Sequence, residues 1–136
     1  DNYRPILLKV SPDLSHQQLD DIIDYCLRSG IDGIVAGNTT RSRDGITSIP
    51  KEKIEAIGNG GMSGAPLYSK NLELVKYVHA KSEGKLPIIG VGGIMSPEQA
   101  KEMMDAGASL VEIYSGFIYE GPALIKNINK HLENTL

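Results

Sequence analysis

The sequence predicts an α/β fold, four strand-helix units that make half of a (β/α)8 barrel, and three observations carry that prediction. Short apolar runs alternate with amphipathic helical stretches four times along the 136 residues, which means a parallel sheet with helical crossovers. The third and fourth runs end in glycine-rich or short polar turns, where a barrel keeps its site. The chain also opens Asp1-Asn2-Tyr3-Arg4 without a methionine and runs directly into an apolar strand, as a segment cut from something longer would. Four units suit either a small doubly wound sheet or half of a barrel that in full needs ~250 residues. The abrupt start favours the half barrel.

The elements follow in order. Arg4 to Val10 (Ile6, Leu7, Leu8, Val10) reads as a strand buried on both faces and closed by Ser11-Pro12-Asp13. Ser15 and Gln18 form a capping-box pair, and Leu19, Ile22, Ile23, Cys26 and Leu27 keep helical spacing up to Gly30. Asp32 to Gly37 is a second strand, followed by the polar cluster Asn38 to Gly45. A weak helix over Pro50 to Ile57 precedes turn material from Gly58 to Pro66. Leu72, Val75, Val78 and His79 predict a helix from Ser69 to about Lys81, and Leu86 to Val91 a third strand stopped by Gly92-Gly93. Ser96-Pro97-Glu98-Gln99 opens the next helix with a cap, a proline at the first position and a Gln three residues on. Gly107 closes it. Ser109 to Tyr114 is the fourth strand, Ser115 to Tyr119 a short connection or single helical turn, and Pro122 starts a last helix carrying Leu124, Ile125, Ile128 and Leu132.

Composition narrows the function classes. Fourteen Lys and Arg against 17 Asp and Glu argue against a nucleic-acid partner, and 40% hydrophobic residues rule out disorder. Cys26, the single cysteine, excludes an internal disulfide and fits a reducing compartment. It falls on the core face of its helix and reads as packing. No run approaches the ~18 apolar residues of a membrane span. His16, His79 and His131 share no ligand spacing, so no metal is expected, and Asp20, Asp21 and Asp24 read as a solvated helix face. Fifteen glycines, well above the usual ~7%, with no Trp, direct the search to backbone turns.

Three turns carry chemistry. Gly92-Gly93 and Tyr114-Ser115-Gly116 end neighbouring strands, in the loops that commonly hold a phosphate in such barrels; glycine admits the backbone and free N–H groups bind the anion. Two glycines alone would be a tight turn, but the short Ser115 to Tyr119 segment beside them favours phosphate. A bulky residue at Gly93 should therefore weaken phosphate binding more than folding. Lys9 ends an apolar strand and either faces an anion or electron-rich ring or snorkels to water. Asn38-Thr39-Thr40 either reads the paired C=O and N–H edge of a cyclic imide or amide or forms an Asx turn. Met62 to Pro66 is either a ligand-covering loop or a connector.

Five segments in register, Leu8 to Leu14, Asn38-Thr39-Thr40, Gly61 to Leu67, Ile89 to Ile94 and Ile113 to Pro122, make the chain resemble the C-terminal half of class 2 (quinone-dependent) dihydroorotate dehydrogenases over essentially its whole length. The resemblance implies that residues 1–136 are one C-terminal (β/α)4 segment of a larger FMN-binding TIM-barrel domain. It implies Lys9 facing the pyrimidine part of FMN, Ser63 and Gly64 along the flavin, and Gly92, Gly93, Tyr114 and Ser115 on its ribityl phosphate. Asn38 and Thr39 would bond the dihydroorotate or orotate ring. Gly37 stands where the family usually has threonine, so only its backbone is left to touch the flavin. The resemblance puts the catalytic base, a serine in this class, in the first half of the barrel, and the quinone entrance in N-terminal helices resting on the inner face of the cell membrane of a cytoplasmic enzyme. A class 1 relative with another electron acceptor and a non-catalytic FMN- or phosphate-binding half barrel are the alternatives. By itself such a half barrel should pair with its other half or with a second copy.

Overall fold

The computed structural model describes residues 2–44 and 46–135. Asp1, where the abrupt start was noted, and Gly45, the last residue of the polar cluster, lie outside the described residues. The order is β1 (Leu7–Val10), α1 (His16–Ser29), β2 (Gly33–Ala36), α2 (Lys51–Ile57), a 3-10 turn (Ala65–Leu67), α3 (Tyr68–Lys81), β3 (Ile88–Val91), α4 (Pro97–Asp105), β4 (Leu110–Glu112), α5 (Ser115–Glu120) and α6 (Pro122–Thr135). Strand order in space is β1-β2-β3-β4, every neighbouring pair parallel. A doubly wound sheet reverses its order part-way; this one runs in sequence order, as barrel staves do.

Register sorts the strand residues into two faces. Val10, Ala36, Gly90 and Val111 lie side by side in one row, and Lys9, Val35, Ile89 and Leu110 in the next. The first row faces the helices: a Cβ on Gly90 would run against Met103 of α4 and Ala108. Ile23, Ile34, Val75, Val78, Ile88, Ala100, Met103 and Ile128 are buried between sheet and helices. At ~25 cal/mol per Å² of apolar area, each of these side chains except the small Ala100 contributes about 1.5–3 kcal/mol. The second row points away from the helices and stays partly open; Leu110 is 62% exposed.

That openness corrects the expectation for the first strand. β1 is shorter than the apolar run and is not buried on both faces: Lys9, on the open face, is exposed, and even Leu8, on the same side as Val10, is 37% exposed, because β1 is an edge strand. The other differences are local. The Ser15 box at α1 is present with both bonds, and Gly30 takes the left-handed C-cap at φ 75°. At α4 Ser96 caps Gln99 N–H, but the Gln99 side chain accepts from Met95 N–H at 2.8 Å, one residue earlier than a capping box requires. The turn material before α3 includes the 3-10 turn, which feeds straight into the helix. Asp20 is no free solvated residue: it accepts from Tyr77 Oη at 2.7 Å and Lys81 Nζ at 3.1 Å, joining α1 to α3. Cys26 is buried in the core, as read.

Candidate functional site

The C-terminal ends of the four strands open into one cavity of about 480 Å³, within the roughly 300–1,000 Å³ of small-molecule sites. Lys9, Gly37, Asn38, Thr39, Ser63, Gly64, Gly92, Gly93, Tyr114 and Ser115 all line it. The ten residues that the family resemblance assigned to flavin or substrate are thus brought to one place, whereas Thr40 and Gly116 from the same turns do not line it. Lys9 takes neither of its two expected forms alone: its side chain runs from the open face of β1 to donate to the Gly37 carbonyl at 2.8 Å, which keeps the ammonium at the cavity wall.

The Asn38 loop is held from both sides. Thr40 is 2% exposed and exchanges backbone hydrogen bonds with Met62, 3.2 Å and 2.7 Å, so the Met62 to Pro66 segment is laid against the Asn38 loop rather than left as a loose connector. Asp13, just past β1, accepts from Thr40 Oγ1 at 2.6 Å, Arg41 N–H at 2.7 Å and Lys70 Nζ at 2.5 Å. Burial pushes the Asp13 carboxyl up, but those three donors more than reverse it and hold it at about 2. Asn38 Oδ1 accepts from Thr39 N–H at 2.9 Å. This bond reaches only the next residue, one short of an Asx turn, because Thr40 N–H is taken by the Met62 carbonyl; it leaves the Asn38 amide NH2 at the cavity as donor.

The far wall is backbone. Gly92 and Gly93 sit at φ 111° and 78°, which side chains rarely tolerate. A Cβ on Gly93 would meet the Tyr68 backbone at the start of α3, so this turn is packed on its outer side as well as open to the cavity. Ser115 Oγ donates to Ser63 Oγ at 3.4 Å across the mouth, and α5 begins there. The sequence reading missed four lining residues, Leu67, Val91, Glu112 and Ile113. Period-two alternation from Leu110 and Glu112 to Tyr114 could have placed Glu112 on the open face; Leu67, just past the stretch read as turn, ends the Gly61 to Leu67 segment of the resemblance but had no role assigned to it.

Three comparisons bear on what this cavity belongs to. The family model described as "Dihydroorotate dehydrogenase" matches residues 2–136. The chain belongs to the dihydroorotate dehydrogenase family. It is 50% identical over 129 residues to the dihydroorotate dehydrogenase (quinone) of Christiangramia forsetii, covering 95% of this chain and 36% of that protein. To the enzyme of the same name from Salinispora arenicola it is 46% identical over 123 residues, covering 90% and 36%. The crystal structure of ligand-free DHODH from Eimeria tenella superposes with a TM-score of 0.86 at 34% identity, over 96% of this chain and 36% of that one. The chain thus spans about 36% of the length of the family members it matches, and its four-stranded sheet is half a barrel, as expected. Among the described residues no helix is long and apolar enough to cross a membrane.

Proposed function

We propose that residues 1–136 form the C-terminal half barrel of a quinone-dependent dihydroorotate dehydrogenase and supply most of its FMN site and part of its substrate site. The observation that carries this is the convergence of Lys9, Asn38, Thr39, the Ser63-Gly64 loop, Gly92-Gly93 and Tyr114-Ser115 on one cavity. The donor set suits FMN. A cation stands at one end, hydroxyls and glycine backbone at the other, and Leu67, Val91 and Ile113 offer apolar wall between them. Bound there, FMN supplies a two-electron acceptor for the hydride that dihydroorotate loses in becoming orotate.

This chain's residues would do the rest by position. The Gly92-Gly93 and Tyr114-Ser115 turns hold the phosphate with backbone N–H groups and the Ser115 hydroxyl. Lys9, fixed on the Gly37 carbonyl, sets a positive charge where the flavin pyrimidine lies and favours its reduced, anionic form. The Asn38 amide and Thr39 hydroxyl orient the substrate ring. No base is assigned among these residues; a serine from the first half of the barrel fills that role in this reading, and re-oxidation by quinone runs through residues outside this chain, at the inner face of the cell membrane.

The test uses the full-length protein that carries this chain. It should purify yellow, release FMN on denaturation, and bleach anaerobically when dihydroorotate is added. Protein without flavin, or flavin that dihydroorotate leaves oxidised, would sink the reading.

A further inference from the structure

One buried polar side chain behind the cavity plays no part in the reading above. Asn71, on α3, is fully buried. Its Nδ2 donates to the Val91 carbonyl at 2.8 Å and reaches the Asn38 carbonyl at 3.4 Å, so a single NH2 ties the end of β3 to the residue after β2. The Val91 carbonyl also accepts from Gly37 N–H at 3.1 Å. The other end of the amide has no such use: Asn71 Oδ1 is buried with no hydrogen-bond partner among the described residues. A Cβ on Gly37 would stand 2.6 Å from that Oδ1, and a Cβ on Gly92 would run into Nδ2. The amide fills the space that side chains at both glycines would need.

An unpaired buried acceptor is a standing cost to the fold. A leucine has the same branched shape without it, so packing alone does not account for an amide here. The donor side does. Without it the Asn38 carbonyl would lose its contact and the Val91 carbonyl its second donor, in the two turns that line the cavity.

We propose that Asn71 is a positioning residue that fixes the spacing between the Gly37-Asn38 turn and the Gly92-Gly93 turn, and that Gly37 and Asn71 are a complementary pair in which the buried amide requires glycine at 37. The substrate side and the phosphate side of the site then keep one geometry. This deepens the proposed function and rests on it.

The experiment measures FMN affinity by quenching of free-flavin fluorescence, dihydroorotate KM and kcat, and melting temperature, in the full-length protein. Asn71→Leu should weaken FMN binding and raise KM together, each by about tenfold, the size expected for one hydrogen bond to a buried carbonyl. A lower melting temperature with FMN affinity and KM unchanged would show a purely structural role and overturn the proposal. A second arm keeps the test decisive if Asn71→Leu fails to fold. Gly37→Ala alone should lose FMN affinity by a similar factor, but it should add no further loss to Asn71→Ser, because the smaller side chain has vacated the space the new methyl needs and the amide tie is already gone. A double variant whose loss is the product of the two single losses overturns the pairing. Wild-type protein that binds no FMN would remove the site itself and the proposal with it; wild-type binding with unaffected variants would remove only the role of Asn71.

Discussion

Lys9 in β1 and Asp13 in the turn just after it act on the same loop at different points, one at the Gly37 carbonyl and the other at Thr40 and Arg41. Their substitutions should separate cleanly. Lys9→Ala in the full-length protein should slow flavin reduction and lower the flavin potential with little change in melting temperature. Lys9→Arg should not restore both, since a planar fork does not occupy a point-charge site. Wild-type reduction rates in Lys9→Ala would show that the lysine serves only the carbonyl. Asp13 predicts a pH effect whose sign follows from its lowered folded value. The native carboxylate resists protonation more than the unfolded one, so its stabilisation is whole above about pH 4 and is lost as the pH falls towards 2. Urea midpoints measured down this range should fall less steeply in Asp13→Asn than in wild type; equal slopes would assign the acid transition to another group.

At the scale of elements, the turn after β3 shows where reasoning from sequence falls short. Glycines at 92 and 93 read as a phosphate cradle, so a substitution there was expected to affect binding more than folding. The structure puts the Tyr68 backbone directly behind Gly93 and gives that residue a left-handed φ. Gly93→Val should therefore lower both melting temperature and FMN affinity, and a variant that keeps wild-type stability would contradict the packing described. The helices were legible because caps and 3.6-residue spacing are local: Ser15, Gly30 and Ser96 mark their ends as read. Strand positions were legible too, but not their exposure. An apolar run such as Ile6 to Val10 looks the same whether its second face meets protein or water; only the sheet's place in a larger barrel decides that. Asn71 was missed for the opposite reason. It lies in step with Leu74, Val75 and Val78, a polar residue in an apolar stripe, and its role depends on two carbonyls from distant strands that no local pattern reveals.

For the molecule as a whole, the open sheet face and the two edge strands set its behaviour when the 136 residues are made alone. Ile6, Leu8 and Leu110 remain uncovered on or beside β1 and β4, whose outer backbone groups lack a strand partner among the described residues. The isolated chain should self-associate or aggregate at micromolar concentration and show no dihydroorotate turnover; light scattering that reports a compact monomer with cooperative unfolding would contradict this. The sequential strand order bears also on how the chain acquires its shape. Each strand pairs only with its neighbours in sequence, and the connection from β2 to β3 is the long one, with α2 and α3 both inside it. Closing a longer stretch of chain costs more entropy before its contacts form. The pairs β1 with β2 and β3 with β4 can therefore assemble as two separate nuclei, the first while the ribosome is still making the second, and the junction between Ile34 and Ile88 should be the last to close. Pulse-labelled hydrogen exchange on refolding full-length protein would read this order directly, and early protection of the β2 to β3 amides would reverse it.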